Sequence, residues 1–248
     1  MGKLIRKFLR SLGFAVPPSR HARARKLQQQ DTEDLMDRML ALHGSGEKSK
    51  AQLKQDIFVL LETGFKRGGY FVEFGATNGV DLSNSWLLEK AFGWTGILAE
   101  PATIWHDCLQ QNRTAIIETK CVWRESGATL DFTMADVPEF STLSTFRAKA
   151  TKRDDDPSTY TVETISLLDL LQSNRAPTYI DYLSVDTEGS EYEILKNFDF
   201  SRFQFGVITV EHNYNKTNRD RLHALLTSKG YIRKYQSLSR WDDWYVKS

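Results

Sequence analysis

The chain has 248 residues, 40% of them hydrophobic, and balances 33 Lys+Arg against 32 Asp+Glu for a formal net charge of +1. That length holds one large domain, or a domain with an extension, and buries a core of real size. The near-neutral charge argues against a dedicated nucleic-acid binder. Apolar runs of only a few residues, such as 57–61, argue against a membrane-spanning helix. Two cysteines, Cys108 and Cys121, with no CxxC pair, argue against a disulfide framework or a Cys-rich zinc site and suit a reducing, cytoplasmic compartment.

Charge is unevenly spread. Residues 1–30 carry Lys3, Arg6, Lys7, Arg10, Arg20, Arg23, Arg25 and Lys26 and no acid, and Leu4, Ile5, Phe8, Leu9 and Leu12 fall on one helical stripe. This reads as a basic helical arm, solvated or packed on the domain; the alternative is peripheral contact with an anionic membrane surface. The segment lacks the long apolar region of a secretory signal, and Arg6 breaks the myristoylation pattern. We therefore divide the chain into a basic arm and helical extension, 1–48, and a Rossmann-like domain, 49–248.

Pro17-Pro18-Ser19 interrupts the arm. Helices are expected over 31–43, closed by Gly44-Ser45-Gly46, and over 49–65, closed by Gly68-Gly69. Short apolar runs then alternate with helical ones. Strands are expected at 70–74, 96–99, 115–122, 180–185, 205–210, 231–235 and 244–246, and helices at 83–92, 103–112, 166–172, 190–198 and 218–229. Residues 128–165 read as short strands and loops, with 151–159 an exposed excursion. Such alternation implies a largely parallel sheet with helices on both faces, binding its ligand outside the carboxyl ends of the strands.

Three strand ends carry the chemistry. The first reads Glu73-Phe74-Gly75-Ala76-Thr77-Asn78-Gly79. Its two glycines permit a tight turn and close ligand approach. Glu73 beside them suits a cationic ligand better than a pyrophosphate. The next strand ends in Glu100-Pro101, 27 positions after Glu73, where an acid accepts ribose hydroxyls. A dinucleotide site wants three glycines and a phosphate on a helix N-terminus. S-adenosylmethionine, with an amino group, a sulfonium and no phosphate, fits better.

The second strand end, Asp186-Thr187-Glu188-Gly189-Ser190-Glu191, projects Asp186 and Glu188 to one side. A helix cap or first-turn acid is the alternative role for Glu188 and Glu191. The third is Glu211-His212. His212 titrates in the right range to remove a hydroxyl proton near neutrality, and a structural histidine is the equal alternative. Asp186, Glu188, Glu211 and His212, with Asp186, Glu211 and His212 foremost, would also serve as ligands for a divalent cation such as magnesium or calcium; equally, a carboxylate would orient the histidine.

The segments VEFGATNGVDLSNSWLLEK (72–90), GWTGILAEP (93–101), ETISLLDLL (163–171), VDTEGSEYEILKNF (185–198) and VITVEH (207–212) together resemble the FkbM family of methyltransferases. The resemblance implies a class I methyltransferase fold: a Rossmann-like three-layer α/β sandwich whose mostly parallel sheet has seven strands. It implies methyl transfer from S-adenosylmethionine to a hydroxyl of a sugar, glycan or natural product. Glu73, Gly75, Ala76, Asn78, Gly79, Glu100, Pro101 and Asp186 then correspond to cofactor contacts, and Asp186, Glu188, Glu211 and His212 to the acceptor side. The expected partner is thus a small-molecule or glycan acceptor, with no nucleic acid. One departure stands out. Many relatives have Lys-Ile-Asp before the Glu-Gly, where this chain has Ser184-Val185-Asp186, so any role of that lysine is absent. The competing expectations are a nicotinamide oxidoreductase and a non-catalytic protein of the same fold.

Overall fold

The computed structural model describes residues 20–135, 141–146 and 159–248, with side chains from residue 30 onward. The apolar stripe at 4–12 and nearly all of the 151–159 excursion lie outside the described residues. The chain divides into two compact units, the first ending at Gly46 and the second spanning Glu47–Ser248. In the first, helix α1 (Arg20–Leu42) starts eleven residues before the expected 31–43 segment. Its added sequence, RHARARKLQQQ, is rich in Ala, Arg, Lys, Leu and Gln and lacks Gly or Pro, so nothing interrupts helical propagation.

The second unit holds a seven-stranded sheet in the order β10-β11-β9-β8-β1-β2-β3. Its strands are β1 (Tyr70–Phe74), β2 (Thr95–Ala99), β3 (Ile116–Glu118), β8 (Tyr179–Val185), β9 (Gln204–Glu211), β10 (Tyr231–Lys234) and β11 (Asp242–Lys247). β3, β2, β1, β8 and β9 run parallel, while β11 is antiparallel to both β9 and β10. The helices are α2 (Gln55–Glu62), α3 (Trp86–Phe92), α4 (His106–Asn112), α5 (Leu167–Ser173), α6 (Glu191–Lys196) and α7 (Lys216–Ser228). This is the class I methyltransferase arrangement that the alternation and the resemblance implied. The central strands read as near-continuous apolar runs because both of their faces are covered. Phe71, Val72 and Phe74 of β1 and Ile180, Tyr182, Leu183 and Val185 of β8 are all buried. Among the described residues no helix is long and apolar enough to cross a membrane.

Two expected elements come out differently. The 49–65 helix is helical only over α2, because Lys54 adopts a left-handed φ of 68° and Ala51 instead bridges to Leu82. The 115–122 strand splits into β3 and β4 (Cys121–Trp123), which belong to different sheets. The break sits at Lys120, whose N–H turns back onto the Glu118 carboxylate at 2.9 Å. β4 joins β5 (Thr129–Thr133), β6 (Thr142–Leu143) and β7 (Thr159–Ser166) in a second sheet, ordered β4-β7-β5-β6. This small sheet has its own apolar cluster, including Cys121, Trp123, Phe132, Leu143 and Val162 with Ala102.

Candidate functional site

From β1 the chain builds outward through β2 and β3; from β8 it builds the other way. The carboxyl ends of β1 and β8 therefore meet at the point where strand order reverses, the usual ligand crevice of such sheets. Gly75 is what lets them meet. Its φ is +75°, and a Cβ there would drive into the Asp186 carbonyl oxygen. Its N–H donates to the Ala99 carbonyl at 3.1 Å, pinning the turn to the end of β2. Just beyond, Glu100 is almost wholly buried and accepts the N–H groups of Thr77 and Ala102, each at 2.8 Å. Burial nevertheless pushes its carboxyl up to about 7, the two N–H donors opposing the shift.

A cavity of ≈ 340 Å³ opens at this crevice, in the size range of small-molecule sites, about 300–1,000 Å³. Glu73, Asp81, Glu100, Asp186, Glu188 and Glu211 line it, and among the described residues no Lys, Arg or His does. Phe132, Ser141 and Leu143 of the small sheet and its loop close one side, and Tyr214 and Trp241 stand on another. The two rings pack edge-on, 6.3 Å between centroids. Thr142 ties the small sheet to the acidic turn by donating its hydroxyl to the Glu188 carbonyl at 3.1 Å.

The 73–79 loop divides its labour. Gly75, Thr77 and Glu73 reach the cavity, while Ala76, Asn78 and Gly79, all expected as cofactor contacts, are not among its lining residues. The Asn78 carboxamide oxygen accepts the N–H groups of Val80 and Asp81, both at 2.9 Å, so Asn78 shapes the turn. Gly79 packs where a Cβ would meet Leu109 and Arg113, each at 2.6 Å. Glu73 faces the cavity with its oxygens already engaged: it accepts the Asn84 N–H at 2.7 Å, the Ser83 hydroxyl at 3.1 Å and the Ser85 hydroxyl. Arg113, buried, locks the same loop. It donates to the Gly79 carbonyl at 3.0 Å, to Ser83 and Ser85 at 3.1 and 2.9 Å, and to Glu89 at 2.9 Å. No motif in the sequence pointed to Arg113.

Asp186, Glu188 and Glu211 converge, with one carboxylate oxygen from each lying within 4.8 Å of the others. Glu188 reaches this position through a left-handed φ of +57° in the turn after β8. Burial first, then repulsion from neighbouring acids, holds Asp186 well above the usual carboxylate range and pushes Glu211 up to about 11. Burial and Glu191 raise Glu188 to about 7. Glu191 itself is structural. It accepts the N–H groups of Thr187 and Gly189 at 3.2 and 2.7 Å and holds the acidic turn in shape.

His212 corrects the expectation placed on it. It is not among the residues lining the cavity, and both ring nitrogens are spent on backbone. Nδ1 accepts the Tyr214 N–H at 3.1 Å, so Nε2 carries the hydrogen and faces the Asp242 carbonyl at 3.2 Å. Burial lowers its pKa, which keeps it neutral. The residue that completes the cluster with Asp186 and Glu211 is Glu188, and His212 is not part of it.

The model of the methyltransferase FkbM domain matches residues 73–233. No curated protein matches the chain significantly. Among solved structures, a putative O-methyltransferase from Klebsiella pneumoniae is similar at 8% identity and a TM-score of 0.42, over 98% of this chain and 96% of that one. The human methyltransferase 10 domain containing protein is similar at 13% identity and a TM-score of 0.42, over 81% and 82%. The precorrin-6y C5,15-methyltransferase of Geobacter metallireducens gives 13%, 0.38, 72% and 71%.

Proposed function

Because the chain belongs to the FkbM methyltransferase family, we propose that it transfers the methyl group of S-adenosylmethionine to a hydroxyl of an uncharged, polyhydroxylated acceptor such as a sugar or glycan. One observation carries the reading: the cavity at the strand-order reversal is lined by six carboxylates and, among the described residues, by no basic side chain. Such a lining offers many oxygen acceptors and no cationic partner for a phosphate, which disfavours dinucleotides and nucleic-acid backbones and suits a donor with a sulfonium and an ammonium.

The residues present fit that donor. Glu100 would take ribose hydroxyls at the end of β2, and the Gly75 turn brings the ends of β1 and β8 side by side at the cavity. When bound, the donor supplies an electrophilic methyl group. The protein's own work is positioning, exclusion of water and proton removal. Phe132 and Leu143 wall the cavity, and Tyr214 and Trp241 supply aromatic surface for the apolar side of an acceptor. The acceptor hydroxyl loses its proton to Glu188, which at about 7 is the member of the Asp186, Glu188 and Glu211 cluster poised to accept near neutrality.

Calorimetry on the full chain tests the reading. S-adenosylmethionine and S-adenosylhomocysteine are expected to bind and NAD is not. Glu100→Ala is expected to weaken S-adenosylhomocysteine by about 1.5–3 kcal/mol, the range for a charged hydrogen-bond partner. Binding of NAD with no heat from either methyl-cofactor form would sink the reading.

A further inference from the structure

We propose that Asp186, Glu188 and Glu211 form a binding site for one hard divalent cation of the magnesium or calcium class. The proposal rests on the methyl-transfer reading for its purpose and on the following geometry for its existence. The three carboxylate oxygens lie within 4.8 Å of one another. Oxygens around a shared cation sit about 2.0–2.6 Å from it, so separations up to roughly twice that distance are what one ion requires.

The second observation is an unpartnered oxygen. Glu211 is 7% exposed and lines the cavity, yet its Oε2 has no hydrogen-bond partner. A buried polar atom left alone is costly, and an ion seated between the three carboxylates would satisfy it. The neighbouring acids do not share this condition. Asp242 accepts from Gln55 at 2.7 Å. Asp243 is clasped by Arg219 and Arg233 at 2.8 and 3.0 Å. The three cavity acids differ: among the described residues Glu188 has only the Asn213 amide at 3.3 Å, and Asp186 and Glu211 hydrogen-bond each other through a proton that a cation would displace.

The donor set decides the class of ion. Three carboxylates with no imidazole and no thiolate are hard oxygen ligands, which select magnesium, calcium or manganese over zinc or copper. Three negative charges from protein also leave coordination positions open. A hydroxyl entering one of them would become more acidic, as water does on a catalytic cation. The acceptor would thus be oriented and prepared for proton loss by the same ion.

The test is cation binding by chelator-treated full-length protein without donor or acceptor. Manganese binding is followed by loss of the free-ion electron paramagnetic resonance signal, and magnesium and calcium by competition. One ion per chain is expected, with a thermal stability increase that grows with cation concentration. Asp186→Asn and Glu211→Gln, which keep shape and remove charge, are expected to weaken binding by about 10- to 100-fold and to abolish the thermal shift. Glu188→Gln guards against misfolding of either. No saturable binding at roughly 10 mM, above the ~1 mM of the weakest calcium modules, would overturn the proposal, as would unchanged, wild-type affinity in all three variants. S-adenosylhomocysteine calorimetry on the same samples separates the two readings. Donor binding without cation binding removes the site alone, and cation binding without donor binding removes the methyl-transfer reading alone.

Discussion

The contact between the β1 and β8 ends gives a prediction whose size follows from the structure. Gly75→Ala combines two penalties. The first is conformational: φ is +75°, and a left-handed residue with a Cβ costs about 1–2 kcal/mol, partly offset by about 0.4–1 kcal/mol of lost unfolded-state freedom. The second is steric, because the new methyl would press on the Asp186 carbonyl oxygen, a backbone atom one residue past Val185, which closes β8 opposite Phe74. Overpacking a fixed neighbour costs about 1–3 kcal/mol. The sum is about 2–4 kcal/mol, or a fall of roughly 5–15 °C in Tm for a chain of this size. Gly64→Ala is the matched control. Its φ is +62°, with nothing within 4 Å of the added Cβ, so only the conformational part applies. It is expected to cost about 0.5–1 kcal/mol. Both are read by thermal and denaturant unfolding, with S-adenosylhomocysteine affinity measured alongside. Gly75→Ala should lose that affinity and Gly64→Ala should keep it. Equal destabilisation of the two, within the ~0.5 kcal/mol that separates independent sites, would refute the idea that the strand ends are rigidly apposed.

Two further outcomes follow. Glu100 sits at about 7 because burial raises it, so its carboxylate form, the one that accepts ribose hydroxyls, gains population as pH rises. S-adenosylhomocysteine affinity should climb between pH 6 and pH 8. The apo protein should lose stability as pH rises from about 4.5 to about 7 and level off above that, since folding raises this group above its ordinary 4.5; flat calorimetric profiles in both measurements would argue against the assignment. His212→Ala should cost about 2–4 kcal/mol by leaving the Tyr214 N–H and the Asp242 carbonyl without partners. It should leave the acidic limb of the pH–rate profile in place, whereas normal stability with that limb removed would restore the histidine as the base.

The larger sheet was legible because parallel strands buried on both faces announce themselves as apolar runs, and strand-end acids stand out against them. Glu100, Asp186, Glu188 and Glu211 all stood at such ends, and all line the cavity. The small sheet was not legible strand by strand. β4 has three residues and β6 has two, too short for any periodicity to register. Arg113 was silent for a different reason. Its partners lie 24 to 34 positions away, so no local pattern marks it. Gln52, Gln55 and Trp241 reach the cavity across similar distances in sequence.

The misplacement of His212 has a single physical cause. Residues adjacent on an extended strand point to opposite sides. Glu211 closes β9, and if its carboxylate faces Asp186 across the parallel β8–β9 pair, the next side chain must face away. The direction in which His212 turns gives it a different job. The Trp241 carbonyl accepts the N–H groups of both His212 and Asn213, at 2.9 and 3.0 Å, while the imidazole accepts the N–H of Tyr214. Together they hold Asn213 and Tyr214 in consecutive left-handed conformations, φ 46° and 56°. Two such residues in succession are unfavourable unless the surroundings enforce them. What they accomplish is visible at the cavity: Asn213 is delivered to the Glu188 carboxylate and Tyr214 to the mouth beside Trp241. The histidine shapes the acceptor side from behind, by fixing the turn that carries the groups in front.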